Sequence, residues 1–127
     1  MTDSFDPSAP IYLQLLERIQ RQILRGDLKP GDKLPSVREM AIHSGVNPNT
    51  VQRTYREMEA IGIVETRRGQ GTFVTEKEAI LQSMRETLKN KEISRFVEGM
   101  KAMGYTHEEI LTGLSIYLSG VKGSDQE

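Results

Sequence analysis

Residues 36–58 have the sequence SVREMAIHSGVNPNTVQRTYREM, which contains the most informative helix signals of the chain. Ser36 and Glu39 have the spacing of a capping box, in which each side chain satisfies a backbone amide of the other residue at the start of a helix. Gly45 suits the left-handed conformation that commonly follows the end of a helix. We therefore predict a short helix between Ser36 and Gly45. Its expected buried face consists of Val37, Met40 and Ala41.

A second helix is predicted to begin almost at once. Asn47 is a favourable N-cap, and Pro48 suits the first helical position because proline lacks the amide hydrogen that would be unpaired there. This helix is expected to end near Ile61, with an apolar stripe of Val51, Tyr55 and Met58. Two helices joined by a short, glycine-containing turn are typical of a helix-turn-helix.

A hairpin is predicted directly after this helix pair. Residues 63–66 and 72–74 are rich in β-branched and aromatic side chains, and the glycine-containing segment 67–71 separates them. A hairpin in this position forms the wing of a winged helix-turn-helix.

Before the helix pair, the sequence predicts one more helix and a connector. The helix ends at Gly26, and its apolar stripe consists of Tyr12, Leu15, Leu16, Ile19, Ile23 and Leu24. Ser8 and Pro10 are plausible start signals. Residues 28–35 contain two prolines and a glycine, so we interpret them as a turn-rich connector.

The chain after Glu76 is predicted to be helical, with a second capping box at Thr106 and Glu109 and a frayed tail from Gly120. Residues 76–120 have apolar stripes but are too few for an independent core, so we expect them to pair with a second subunit. An intrachain helical hairpin packed on the winged domain is the alternative. The expected dimer interface consists of Met84, Leu88, Phe96, Val97, Met100, Met103, Leu111, Leu114 and Leu118.

Composition excludes several classes of function. The 127 residues include 17 basic and 18 acidic side chains and no cysteine, so disulfides and thiolate metal sites are excluded. The two histidines lack neighbouring carboxylates at metal-binding spacing, and no nucleophile and base stand together. We expect no metal, no cofactor and no enzymatic activity. The sequence has no long apolar run and no N-terminal leader, so a cytoplasmic location is expected.

The second helix of the pair carries polar side chains suited to base edges in a major groove. Asparagine and glutamine can make paired hydrogen bonds to adenine, and arginine to guanine. The candidates near its start and along its outer face are Asn47, Pro48, Asn49, Thr50, Gln52, Arg53 and Arg56. A solvated helix face without a ligand is the alternative interpretation.

Arg38 lies in the first turn of its helix, where a cation opposes the helix dipole and a nearby phosphate would offset the cost. Its alternative partners are Glu39 and Glu57. Arginines and glycines at the hairpin tip suit phosphates or a narrow minor groove, although a merely solvated turn has the same composition. The further candidates for DNA contact are Ser36, Thr72, Arg67, Arg68, Gly69 and Gln70.

The chain resembles the GntR family of bacterial transcription regulators in an ordered series of segments. These segments run from Gly26 to Ala41, from Gly45 to Val51, over residues 62–64 and from Arg68 to Val74. The resemblance covers roughly residues 8–75 and implies that Arg38 contacts DNA. Because the remainder is short and helical, the chain looks like the YtrA-type subfamily.

Together these features predict a mainly α fold with a small β-hairpin. The expected domains are a winged helix-turn-helix over residues 8–75 and a helical dimerisation region over residues 76–120. The expected function is that of a transcription regulator, a repressor whose homodimer binds double-stranded DNA at an inverted repeat. A winged-helix module that binds protein instead of DNA is the alternative, and a small-molecule effector is an open prediction, with a candidate pocket lined by Tyr105, His107 and Tyr117.

Overall fold

The computed structural model describes residues 5–125, and within them lie five helices and one two-stranded antiparallel hairpin. This arrangement confirms the predicted mainly α fold. The elements in chain order are α1 (Ile11–Arg25), α2 (Val37–Ser44), α3 (Pro48–Ala60), β1 (Val64–Arg67), β2 (Gly71–Val74), α4 (Glu78–Ala102) and α5 (His107–Asp125).

Two compact units can be distinguished, the first ending at Arg85 and the second beginning at Glu86. The first few turns of α4 belong to the first unit, where the Arg85 guanidinium donates to the carbonyl of Leu24, at 3.4 Å. The domain limits 8–75 and 76–120 remain a prediction.

Helix α1 supplies much of the core of the first unit. Leu15, Leu16, Ile19 and Ile23 are buried along one stripe, as their spacing predicts. Gly26 ends the helix at a φ of 87°, a left-handed conformation that suits glycine.

The helix pair forms as the capping signals predict. The Glu39 amide donates to Ser36 Oγ at 3.1 Å, and the Ser36 amide donates to Glu39 Oε1 at 2.9 Å. Hydrogen bonds from the backbone and hydroxyl of Ser36 hold the pKa of the Glu39 carboxyl below its ordinary value. Gly45 follows α2 at a φ of 70°.

Helix α3 is fixed from two sides. Its inner face, which consists of Val51, Thr54, Tyr55 and Met58, is buried. Thr54 Oγ1 donates to the carbonyl of Tyr12 at 3.0 Å, and the Tyr55 hydroxyl donates to the carbonyl of Pro35 at 2.7 Å. Burial raises the pKa of the Tyr55 phenol above its ordinary value of 10.0. The hydroxyl is protonated at neutral pH with or without this shift, so it can donate this hydrogen bond there.

The hairpin pairs Val64 with Val74 and Arg67 with Gly71, so its turn consists of residues 68–70. The connector before α2 is more than a turn. The Leu34 amide donates to the carbonyl of Thr72 at 2.8 Å, and the Val74 amide donates to the carbonyl of Asp32 at 2.8 Å. The connector thus pairs with β2 as a short extended segment beside the hairpin. The sequence did not predict this pairing, because prolines and a glycine in the connector are typical of a turn.

In the second unit, the Thr106 and Glu109 capping box forms at the start of α5, with hydrogen bonds of 2.9 and 3.1 Å. Helix α5 continues past Gly120 to Asp125, and fraying of the tail from Gly120 stays a prediction. Residues 126–127 lie outside the described residues. No helix between residues 5 and 125 is both long and apolar enough to cross a membrane.

Candidate nucleic-acid interface

The outer face of α3 consists of exposed polar and cationic side chains. Asn49, Gln52, Arg53 and Arg56 are exposed, whereas the opposite face of the same helix is buried. The helix therefore presents amide and guanidinium groups outward on a rigid support, as the sequence predicts. Thr50, a further predicted contact, is half-buried.

The start of α3 is partly occupied by its own cap. Asn47 Oδ1 accepts a hydrogen bond from the Asn49 amide at 2.7 Å. A paired contact to adenine needs both the oxygen and the nitrogen of an asparagine side chain. While the cap is formed, one lone pair of Asn47 Oδ1 is used and the cap sets the orientation of the side chain, and Pro48 has no backbone donor. Asn49 and Gln52 are therefore better placed to recognise adenine.

Arg38 is exposed in the first turn of α2. Among residues 5–125 it forms no ion pair, and its alternative partner Glu39 is engaged with Ser36 instead. The guanidinium thus keeps its hydrogen-bonding capacity for a ligand. Ser36 is also exposed, and its hydroxyl oxygen already accepts from the Glu39 amide.

Arg53 has a partner that the sequence did not indicate. Its guanidinium carbon lies over the ring of Tyr12, at 3.8 Å from the ring centre. Tyr12 was predicted to belong to the apolar stripe of α1, but it is only half-buried. No local spacing links the two residues, because they lie on different helices that meet only in the folded chain.

The two arginines of the hairpin, Arg67 and Arg68, differ in their contacts. The Arg67 guanidinium carbon lies 4.1 Å from the centre of the Phe73 ring, and Arg67 Nη2 is 3.9 Å from a Glu65 carboxylate oxygen. Arg68 lies at the exposed tip, and its side chain forms no hydrogen bond or ion pair within the described part of the chain. Gly69 and Gln70 are exposed beside it, and Thr72 is half-buried.

Lys33 is a further cation at the hairpin that the sequence analysis missed. It is exposed, and its backbone forms an isolated antiparallel β-bridge with Phe73. Its side chain passes so close to Gly71 that a Cβ atom at position 71 would lie 2.7 Å from Lys33 Cε. Glycine at position 71 therefore leaves room for this lysine beside the hairpin. The signal was hidden because the connector was interpreted as a turn.

The predicted dimer residues differ in accessibility. Met84 is only 6 % exposed in the single chain, so it is already covered and we no longer assign it to an interface with a second subunit. Three of the remaining residues, Leu88, Val97 and Met100, are half-buried. The exposed ones are Phe96, Met103, Leu111, Leu114 and Leu118.

Within residues 5–125 no group of three or more histidine, aspartate or glutamate side chains is arranged to hold a metal ion. The exposed side chains of Arg38, Asn49, Gln52, Arg53, Arg56 and Arg68 offer hydrogen bonding and local positive charge. These groups lie on α2, on α3 and on the hairpin.

Comparison with known proteins gives the same result. The family model "Bacterial regulatory proteins, gntR family" matches residues 11–74. The HTH-type transcriptional regulator YhcF of Bacillus subtilis is 52 % identical over 120 residues, which cover 94 % of this chain and 99 % of that protein. The HTH-type transcriptional repressor YtrA of Bacillus subtilis is 37 % identical over 117 residues, which cover 91 % and 90 % of the two chains.

Solved structures extend the likeness to three dimensions. A GntR family transcriptional regulator from Listeria monocytogenes has a TM-score of 0.81 and 36 % identity, with 87 % of this chain and 97 % of that chain covered. The DNA-binding domain of AraR in complex with operator ORE1 has a TM-score of 0.51 and 26 % identity, with 59 % and 94 % covered. The chain therefore belongs to the GntR family of bacterial regulatory proteins and is a YtrA-type transcription regulator, which is not an enzyme.

Proposed function

We propose that the chain is a repressor whose homodimer binds an inverted-repeat operator, with α3 in the major groove and the hairpin tip against the flanking backbone or minor groove. The observation that carries this proposal is the division of α3 into two faces. One face is buried in the core of the first unit, and the other presents Asn49, Gln52 and Arg56 to solvent.

The exposed groups fall into two roles. Asn49 and Gln52 have the donor and acceptor pair that distinguishes adenine, and Arg56 has the donors for guanine. Arg38 and Arg68 supply cations on either side of α3 in the sequence, and phosphates are their expected partners. The neutral overall charge does not oppose this function, since binding depends on local cations rather than on the sum.

The comparisons support the proposal. The AraR domain is similar to this chain in structure, and its crystal contains an operator. The relative YtrA is named a repressor. A regulator of transcription must reach DNA, which in a bacterium implies a cytoplasmic location.

The homodimer is supported by apolar side chains that the single chain leaves exposed. Leu111 is 69 % exposed, and Leu114 and Leu118 follow at the spacing of one helix face. An exposed apolar stripe of this kind is typical of a surface that a partner helix covers. Two subunits would also supply the two half-sites that high specificity usually needs, spaced by about 34–36 Å per helical turn.

An effector remains a prediction. Tyr105 and Tyr117 are both exposed on the surface of the second unit, and His107 is the first residue of α5.

Fluorescence anisotropy with an inverted-repeat duplex tests the proposal. Titrations at two salt concentrations are expected to give tight binding at low salt and a steep loss of affinity at higher salt, because bound cations displace counterions. The Arg38→Ala/Arg68→Ala variant should bind much more weakly while it unfolds at the same temperature as the wild type.

The matched control is Lys89→Ala/Lys101→Ala, which removes the same charge from α4 and should retain near wild-type affinity. Equal affinity for a scrambled duplex, or binding that ignores salt, would contradict the proposal. Absence of DNA binding under all conditions would favour the alternative, a winged-helix module that binds protein.

A further inference from the structure

The contact between Tyr12 and Arg53 joins the surface of α3 to α1. The guanidinium carbon lies 3.8 Å from the centre of the tyrosine ring, which is stacking distance. Arg53 remains exposed although it is stacked. The side chain is thus held in place without being removed from solvent.

Tyr12 is itself fixed by the residue that follows Arg53. Thr54 is fully buried, and its hydroxyl donates to the carbonyl of Tyr12 at 3.0 Å. Two successive residues of α3 therefore contact Tyr12, one through the backbone of α1 and one through the ring. This double contact sets the position of the ring relative to α3.

Stacking leaves the most useful part of the guanidinium available. Its N–H groups lie in the plane of the group, so a ring that covers one flat face does not block them. An unrestrained arginine loses rotamer entropy when it is ordered, and a stacked one has already lost part of it. Arg67 is stacked in the same manner on Phe73, at 4.1 Å. By contrast, no stacking contact is present at Arg38 or Arg68 in the described residues.

We propose that Tyr12 is a positioning residue of the DNA interface, whose ring holds Arg53 so that its in-plane N–H groups meet a pair of acceptors on the DNA. The acceptors are two phosphate oxygens or the O6 and N7 atoms of a guanine, which share this chemistry. The inference rests on the proposed function, and it extends the interface from the helix pair and hairpin to α1.

Three variants test the contact by DNA affinity. Tyr12→Phe keeps the ring and should bind within about twofold of the wild type. Tyr12→Leu keeps an apolar side chain but removes the ring, and it should lower affinity about 3- to 30-fold, because Arg53 would then lose its rotamer freedom only on binding DNA. In an Arg53→Ala background, Tyr12→Leu should cause less than about a twofold further loss.

This coupling separates positioning from a general structural role. A general structural defect at position 12 would weaken DNA binding by the same factor with or without Arg53. It would also give no reason for Tyr12→Phe to bind DNA more tightly than Tyr12→Leu. A loss that persists in the Arg53→Ala background would therefore overturn the proposal, as would a Tyr12→Leu variant that binds like the wild type. If Tyr12→Leu does not fold, Arg53→Lys takes its place, since it keeps the charge and removes the planar group. It should also lose at least threefold in affinity, and wild-type affinity would overturn the proposal.

The same titrations identify the acceptors. Equal losses on operator and scrambled duplexes indicate phosphate, whereas a loss confined to the operator and abolished by one guanine substitution indicates a base. Both results support the positioning role. If the wild type itself binds no duplex, the proposed function fails. If the wild type binds but the effect of Tyr12→Leu does not depend on Arg53, only this inference is rejected.

Discussion

The two units of the chain treat their apolar side chains in opposite ways. In the first unit, residues from α1, α3 and the hairpin, such as Ile19, Met58 and Val74, are almost completely buried. In the second unit, Leu111, Ile116 and Tyr117 are each more than 60 % exposed. Among residues 107–120 of α5, Ile110 is the one that is buried.

This difference shows which part of the chain can complete its own core. The first unit combines helices α1, α2 and α3 with the two-stranded hairpin, so its elements cover one another's apolar faces. The second unit consists of helical segments whose apolar faces exceed what they can bury. We infer that the first unit folds within one chain and that the second is completed by another copy. Four experiments test this difference.

The largest effect is expected in the core of the first unit. Met58→Ala should lower the free energy of unfolding by about 2–5 kcal/mol, because the side chain is fully buried and its removal leaves a cavity. Urea denaturation followed by circular dichroism measures this change. The control is Ile42→Ala, since Ile42 is 77 % exposed and its loss should matter by less than about 0.5 kcal/mol. Similar losses for the two variants would contradict a self-contained core.

The next effect concerns the exposed surface of α5. Leu111→Ser should weaken dimerisation about tenfold or more, because burying a leucine contributes about 1.5–3 kcal/mol. Sedimentation velocity over a range of concentrations would measure the shift toward monomer. Ser115→Ala serves as a polar control on the same helix. A wild-type chain that remains monomeric at high concentration would refute the role assigned to this surface.

Two glycines should respond with opposite signs. Gly45→Ala places a side chain at a φ of 70° and should cost about 1–2 kcal/mol. Gly99 lies inside α4 with no positive φ, and a Cβ atom there meets nothing within 4 Å. Gly99→Ala should therefore raise the unfolding free energy by about 0.5–1 kcal/mol. Thermal denaturation of both variants compares them, and a stabilising Gly45→Ala would show that the turn between α2 and α3 differs from the one described.

The smallest effect is a pH dependence at the start of α2. The pKa of Glu39 is lower in the folded chain than its ordinary value of 4.5. The carboxylate therefore stabilises the fold above that value, and the stabilisation is lost as the pH falls through the lowered pKa. Glu39→Gln removes the charge but retains an oxygen that can accept from the Ser36 amide.

Unfolding free energies of the wild type and Glu39→Gln should thus differ most at neutral pH and converge in acid. An unchanged difference between neutral pH and about pH 3 would contradict the assigned capping role.

Much of the first unit could be predicted from the sequence because local chemistry specifies it. Ser36 with Glu39, Gly45, and Asn47 with Pro48 each encode a helix boundary within a few residues, and all three boundaries are where these signals place them. The exposed face of α3 follows directly once its buried stripe is known.

Contacts between distant parts of the chain could not be predicted in this way. Arg53 stacks on Tyr12 and Lys33 lies beside Gly71 only because the packing of α1 and the connector brings them there. The apolar spacing of residues 84–103 likewise gave no reason to separate Met84, which is buried, from Met103, which is exposed. Periodicity identifies an apolar face but not what covers it.

Selection of DNA fragments from a random pool by the intact chain, followed by sequencing, tests the central claim most directly. We expect enrichment of an inverted repeat whose half-site centres are separated by about 10–10.5 base pairs or a multiple of that distance, and loss of this enrichment for the Arg38→Ala/Arg68→Ala variant. A pool that stays random, or an enriched sequence without two-fold symmetry, would contradict it.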